Sequence, residues 1–277
     1  MATARQLRRL RIHGPGIEIS ALRADRRPIV YLHALNFDAW TFEPFLRAAG
    51  GTAIDLRGHG HSSAPAEGYW LGALAADVGA VLRAVARGPV TLIGQSLGAR
   101  VALAVAATFP WTVGRLVLIE GGVDLAEDVQ RELHGRMRGF PTTFTDAADA
   151  LAALRAAYPL LDLPAARAIV RTNYQGGRWR SPTHARTGIV RSWNLASESL
   201  AQDVSAPTLV VRADASHHWT RAQALSLVDR FSGERRLVET PGSHYLLQTA
   251  PGALLSLLAN EGVLQISSSR STGPQGR

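Results

Sequence analysis

The amino-acid sequence predicts an α/β fold, a mostly parallel sheet covered by helices on both faces and interrupted by one helical insertion. Three observations predict it. Short apolar runs alternate with helical stretches. The runs are apolar at consecutive positions, as strands buried on both faces require. The alternation stops between residues 122 and 203 and then resumes.

Taken in order, strands are expected at Ile29-Val30-Tyr31-Leu32, Ala53-Ile54, Val90-Thr91-Leu92-Ile93, Leu116-Val117-Leu118-Ile119, Leu209-Val210-Val211 and Leu237-Val238. Helices are expected at 71–87, 97–108, 221–230 and 252–259. In the second of these, Leu97, Val101, Ala104 and Val105 repeat at helical spacing and form the stripe of a helix packed on a sheet. Residues 122–203 are polar, rich in Ala and Arg, helical in pattern and without a convincing strand. They are expected to form a helical cap on a core made of residues 1–121 and 204–264. After Leu264 the run Ser267-Ser268-Ser269-Arg270-Ser271-Thr272-Gly273-Pro274 has no apolar residue, so 265–277 is expected to be a disordered tail.

Composition narrows the classes. The 277 residues are 46% hydrophobic and 19% charged, a globular balance. The formal charge of +8 raises the question of nucleic acid, yet there is no Lys, the 30 basic residues are Arg scattered along the chain, and only Arg8-Arg9-Arg11 cluster. No recognition motif accompanies the charge, so no nucleic-acid partner is expected. The absence of Cys removes thiolate catalysis, disulfides and thiolate metal sites together. No run approaches the roughly 18 apolar residues of a membrane span, and no apolar stretch follows the N-terminal arginines. A soluble cytoplasmic protein without membrane contact is therefore expected.

The chemistry begins where the Val90 strand runs into Gly94-Gln95-Ser96-Leu97-Gly98 and at once into a helix, the setting of a nucleophile elbow. So sharp a turn holds Ser96 in a strained backbone conformation, and side chains two residues to either side would collide. It also leaves the Leu97 N–H unpaired at a helix N-terminus, where an oxyanion would develop. His33, His59 and His61 lack the spacing of a metal-binding helix and are expected to orient loops by hydrogen bonds, as are Asp55 and Arg57.

With these residues the chain resembles the α/β-hydrolase superfamily. Tyr31-Leu32-His33-Ala34-Leu35-Asn36 stands where the family has a strand followed by His-Gly, and Asp55-Leu56-Arg57-Gly58-His59-Gly60-His61-Ser62 is similar to its DxRGHGxS loop. Pro241-Gly242-Ser243-His244 resembles its PGxGH. The likeness covers residues 28–120 and 205–260, in the family's order. It implies Ser96 as nucleophile, His244 as general base, and the N–H groups of Leu35 and Leu97 as the oxyanion hole. Ala34 departs from the usual Gly, which matters if that position needs a positive φ.

The third catalytic member departs further. The family's acid follows the next-to-last strand, and here that place falls on Ser216 in Arg212-Ala213-Asp214-Ala215-Ser216-His217. Glu120, at the end of the strand after the nucleophile helix, is the favoured substitute, ahead of Asp214, with Asp124 third; α/β sheets build their clefts at the C-terminal ends of strands. The resemblance implies hydrolysis of an ester, lactone or thioester of a small apolar molecule through an acyl-Ser96 intermediate, with no metal or cofactor. Trp179, Trp193, Tyr174 and Met137 are expected either to line the substrate pocket or, with preference, to form the core of the cap. The alternative keeps the fold and has the same serine and histidine remove an acyl group by elimination in a bacterial biosynthetic pathway. A ligand receptor is the third class, disfavoured because Ser96 and His244 are both present.

Overall fold

The computed structural model describes residues 5–122, 124–193 and 197–266. Strands β1 (Arg8–His13) and β2 (Glu18–Arg23) open the chain as an antiparallel hairpin. There follow β3 (Ile29–Leu32), α1 (Glu43–Ala49), β4 (Thr52–Ile54), α2 (Leu71–Val85), β5 (Val90–Gln95), α3 (Leu97–Thr108) and β6 (Val113–Ile119). An insertion then contributes α4 (Glu127–Gly139), α5 (Ala147–Ala157), α6 (Leu163–Asn173), β7 (Tyr174–Gln175), β8 (Arg178–Trp179) and α7 (Thr183–Arg191). The chain returns to the sheet with β9 (Thr208–Ala213), α8 (Arg221–Arg230), β10 (Arg235–Thr240), α9 (Leu246–Thr249) and α10 (Pro251–Asn260).

The eight-stranded sheet has the order β1-β2-β4-β3-β5-β6-β9-β10. Its pairings are antiparallel from β1 to β4 and parallel beyond. The consecutive apolar residues of its central strands are divided between two cores by the two-residue period of a strand. Val30, Leu32, Leu92, Leu116, Leu118 and Val210 face one core, shared with α2, α3 and α8. Ile29, Tyr31, Ile93, Val117, Ile119 and Val211 face the other, closed by Phe45 and Leu46 of α1 and Leu254 and Leu258 of α10. Each such side chain contributes roughly 1.5–3 kcal/mol when fully buried, so a one-residue register slip, which exchanges the two faces, is excluded in the middle of the sheet.

Two corrections concern strands. The Arg8-Arg9-Arg11 run is part of β1, where Leu10 and Ile12 alternate with the arginines and pack on the core. Arg9 reaches Asp55 at 2.8 Å and Arg11 reaches Glu18 at 2.8 Å. Charge along an outer strand discourages pairing with another chain, and β10 at the opposite edge likewise begins with Arg235 and Arg236. Within the insertion, β7 and β8 form a short hairpin that the helical pattern hid. Gly176 and Gly177 at its turn have φ of 55° and 76°, the conformation of a two-residue turn of type I′. Of the tail expected at 265–277, residues 267–277 lie outside the described residues, while the Gln265 carbonyl accepts from Arg27.

Loop 55–62 is fastened by the groups expected to be structural. Asp55 accepts from the N–H groups of Ala39 and His61. Arg57 forms a two-pronged pair with Asp77 of α2, at 2.5 and 2.7 Å, and also donates to the Gly68 carbonyl. Both side chains of the pair are almost fully buried. Removing one partner of such a pair leaves the other charge unpaired in an apolar setting. Arg57→Ala is therefore expected to lower unfolding free energy by about 3 kcal/mol or more, measurable by urea denaturation; a loss no larger than that of an exposed Arg→Ala control would contradict this.

Candidate active site

β5 delivers Ser96 to the C-terminal edge of the sheet and α3 begins at the next residue. Ser96 has φ 53° and ψ −112°, a sparsely populated conformation that costs on the order of 1–3 kcal/mol and persists only where the surroundings hold it. Here glycines hold it. A Cβ on Gly94 would lie 2.2 Å from the Gly98 carbonyl oxygen, and one on Gly98 would lie 2.1 Å from that of Leu32. The second contact also presses the loop after β3, which carries Leu35, against the elbow. Leu97, as the first residue of α3, offers an N–H that the helix does not use. Leu35 and Ser96 line the same cavity. At Ala34 the φ is not positive; the left-handed residue of this loop is Asn36, at 68°.

Asn36 is the hub of that loop. Its N–H donates to His59 Nε2, its amide nitrogen donates to the Tyr158 hydroxyl, and its amide oxygen accepts from Trp179 Nε1 at 2.8 Å. The last two partners belong to the insertion, so one buried side chain joins insertion and sheet. His59 Nδ1 faces the Arg57 carbonyl, and His33 Nδ1 faces the Ala34 carbonyl while His33 Nε2 accepts from the Leu56 N–H. Burial lowers the pKa of both rings, and each neutral ring carries its proton on Nδ1, where a carbonyl can accept it. These histidines orient loops, as the sequence suggested.

His244 stands after β10, with Nε2 at 3.2 Å from Ser96 Oγ and Nδ1 at 3.1 Å from Glu120 Oε2. Its backbone carbonyl accepts from the side chain of Gln95, the residue before Ser96. Glu120 is buried, has φ 52° and precedes Gly121, whose Cβ position would fall 2.8 Å from Ser96 Cα. Four donors surround its carboxylate. The Ala213 N–H and Trp219 Nε1 bond Oε1 at 2.6 and 3.1 Å, while Ser216 Oγ and His244 Nδ1 bond Oε2 at 2.6 and 3.1 Å. Burial by itself would raise this carboxyl's pKa, but the hydrogen bonds and charge of His244, with those of Ser216 and Ala213, outweigh it and hold the value below the ordinary range. An ionised Glu120 only accepts, so the His244 proton sits on Nδ1 and Nε2 is free to accept from Ser96.

The three residues are thus brought together, and the other two acids are not. Asp214 is exposed and accepts from the N–H groups of Ala215 and Gly242, holding the loop in shape. Asp124 pairs with Arg100 at 2.9 Å. Ser216, standing where the family's acid was expected, hydrogen-bonds the carboxylate that comes from β6 instead.

Two participants escaped the sequence reading. His218 stacks on His244 with ring centroids 3.9 Å apart and planes 14° apart, and Trp219 donates to Glu120. Burial, reinforced by the charge of His244, lowers the His218 pKa to about 3, so it is a neutral plate against which the His244 ring lies. Their position two and three residues after Ser216 was the available signal.

The cavity over Ser96 measures about 590 Å³, counting its part open to solvent. Phe37 and Tyr245 from the core and Leu125, Leu133, Tyr158 and Trp193 from the insertion form apolar walls. Of the four insertion residues expected at either pocket or core, only Trp193 lines the cavity. Met137 is buried beside the Tyr158 hydroxyl, Trp179 bonds Asn36, and Tyr174 packs on Phe144. Among the described residues, no cluster of His, Asp and Glu could hold a metal ion, and no helix is long and apolar enough to cross a membrane.

A family model described as alpha/beta hydrolase fold matches residues 27–251. The chain is 28% identical over 241 residues to the 2-(acetamidomethylene)succinate hydrolase of Mesorhizobium japonicum, covering 84% of this chain and 86% of that protein. It is 36% identical over 107 residues to an esterase of Mycobacterium tuberculosis, 37% of this chain and 36% of the relative. Among solved structures, that of an E-2-(acetamidomethylene)succinate hydrolase superposes with a TM-score of 0.84 at 25% identity, covering 92% of this chain and 98% of the other.

The geometry orders the candidate acids. Glu120→Gln is expected to lower kcat for 4-nitrophenyl butyrate by about 10³–10⁴-fold, because an amide permits the wrong tautomer of His244, whereas Asp214→Asn leaves turnover close to that of the unaltered protein. The reverse order in steady-state kinetics would move the acid to Asp214.

Proposed function

The chain belongs to the α/β-hydrolase family, and we propose that within it this protein is a serine hydrolase cleaving an ester, lactone or thioester of a small acyl compound. The observation that carries the reading is the continuous set of hydrogen bonds from Ser96 Oγ through His244 to Glu120, at 3.2 and 3.1 Å, beside a largely apolar cavity. The likeness to a hydrolase and to an esterase supports the same class.

The reaction follows from the donors and acceptors. His244 Nε2 takes the Ser96 proton as Oγ attacks the substrate carbonyl carbon. The carbonyl oxygen becomes an oxyanion held by the N–H groups of Leu35 and Leu97, each worth roughly 3 kcal/mol of barrier. The His244 cation that forms lies between two partners, Glu120 on Nδ1 and the neutral His218 ring on its face. Nε2 then returns the proton to the leaving oxygen or sulfur as its bond to the acyl carbon breaks. Water attacks the acyl-Ser96 ester by the same steps in reverse, releasing the acid and restoring the hydroxyl. The insertion acts as a cap, since Leu125, Leu133, Tyr158 and Trp193 close the cavity above Ser96.

Elimination by the same Ser96 and His244 needs no covalent intermediate, so the acyl-enzyme separates the two reactions. A fluorophosphonate probe tests the covalent step. Labelling is expected at Ser96, to be lost in Ser96→Ala, with hydrolysis of 4-nitrophenyl butyrate falling by about 10⁴-fold or more. Folded protein that turns over esters without label on Ser96 would contradict the acyl-enzyme.

A further inference from the structure

The cavity over Ser96 is not wholly apolar. Three charged side chains line it: Glu120, Arg100 and Arg136. Glu120 is satisfied by its four donors, and Arg100 is paired with Asp124. Arg136 differs from both. It projects from α4 one turn after Leu133, and both residues line the cavity. Among the described residues it has no ion pair, and its Nε is buried without a hydrogen-bond partner. Its guanidinium carbon lies 5.5 Å from the centre of the Tyr158 ring, another wall of the cavity.

Arg136 is half-buried, with Nε cut off from water and without a hydrogen-bond partner, and the planar fork of a guanidinium matches a carboxylate through two parallel hydrogen bonds. One cavity is therefore lined both by an acyl-accepting group, at Ser96 and Leu35, and by an anion-accepting group, Arg136. Phe37, Tyr158 and Leu133 supply apolar surface along it. We propose that the substrate is an acyl compound with its own carboxylate, held by Arg136 while the scissile carbonyl rests at Ser96. One unpaired guanidinium balances one negative charge, which favours a carboxylate over a phosphate dianion in these apolar surroundings. The proposal rests on the hydrolase reading above and gives its small acyl compound an anionic end, where the sequence led to the expectation of an apolar molecule.

The test compares two esters of nearly equal shape, 4-nitrophenyl hydrogen glutarate and the uncharged 4-nitrophenyl glutaramate. The unaltered protein is expected to favour the anion by about tenfold or more in kcat/KM, chiefly through KM, as a charge-assisted hydrogen bond would give. Arg136→Gln is expected to bring the ratio of the two kcat/KM values near one, and Arg136→Lys to restore part of it. A ratio near one in the unaltered protein, or a ratio unaffected by Arg136→Gln, overturns the proposal. Binding separates this outcome from failure of the hydrolase reading. In Ser96→Ala, monomethyl glutarate should bind about tenfold more tightly than methyl glutaramate, followed by the fluorescence of Trp193 and Trp219 at the cavity. The difference should vanish in Ser96→Ala combined with Arg136→Gln. If neither nitrophenyl ester is turned over, the hydrolase reading fails while this titration still decides the role of Arg136, and equal binding of the two esters overturns it.

Discussion

The bond between the Glu120 carboxylate and His244 Nδ1 is the interaction on which the rest of the site depends. A carboxylate buried at the end of β6 is tolerable only if donors replace the water it has lost. They come from separate places in the chain: the end of β9 at Ala213, the following loop at Ser216 and Trp219, and the loop after β10 at His244. Those places converge only because β6, β9 and β10 are neighbours running parallel, so that their C-terminal ends and following loops lie side by side. The fold thus satisfies the charge, and the charge fixes the tautomer that lets His244 accept a proton from Ser96.

The same logic explains the strain nearby. Ser96 and Glu120, both at positive φ, follow the ends of the neighbouring parallel strands β5 and β6, and Gly121 lets the two backbones approach. A side chain at Gly121 would collide with the Ser96 backbone and force the segment after β6 away from it. Gln95, which bonds the His244 carbonyl, ties the third loop to the same point. The strain is borne by a sheet whose two cores are filled on either side of β5 and β6.

Much of this was legible in the sequence, for identifiable reasons. The strands buried on both faces show as uninterrupted apolar runs, and the elbow shows because its glycines are sterically required. The hairpin at the start of the chain was hidden by the arginines of β1, which alternate with Leu10 and Ile12 yet read as a charge cluster. The acid was the harder case. Its choice over Asp214 rested on strand position alone; what decides it, the convergence of Ser216, Trp219 and Ala213, joins residues some ninety positions apart. His218 and Arg136 were missed because neither stacking on His244 nor the want of a partner leaves a local pattern.

The insertion completes the site by closing the cavity and by meeting the core at Asn36, beside the Leu35 N–H. The central claim, that Glu120 and no other acid holds His244, is tested most directly by proton nuclear magnetic resonance. A proton shared between Nδ1 and a buried carboxylate resonates far downfield of ordinary amides. The account predicts that this resonance is present in the unaltered protein, persists in Asp214→Asn and is absent in Glu120→Ala. Its survival in Glu120→Ala, or its loss in Asp214→Asn, would contradict the account.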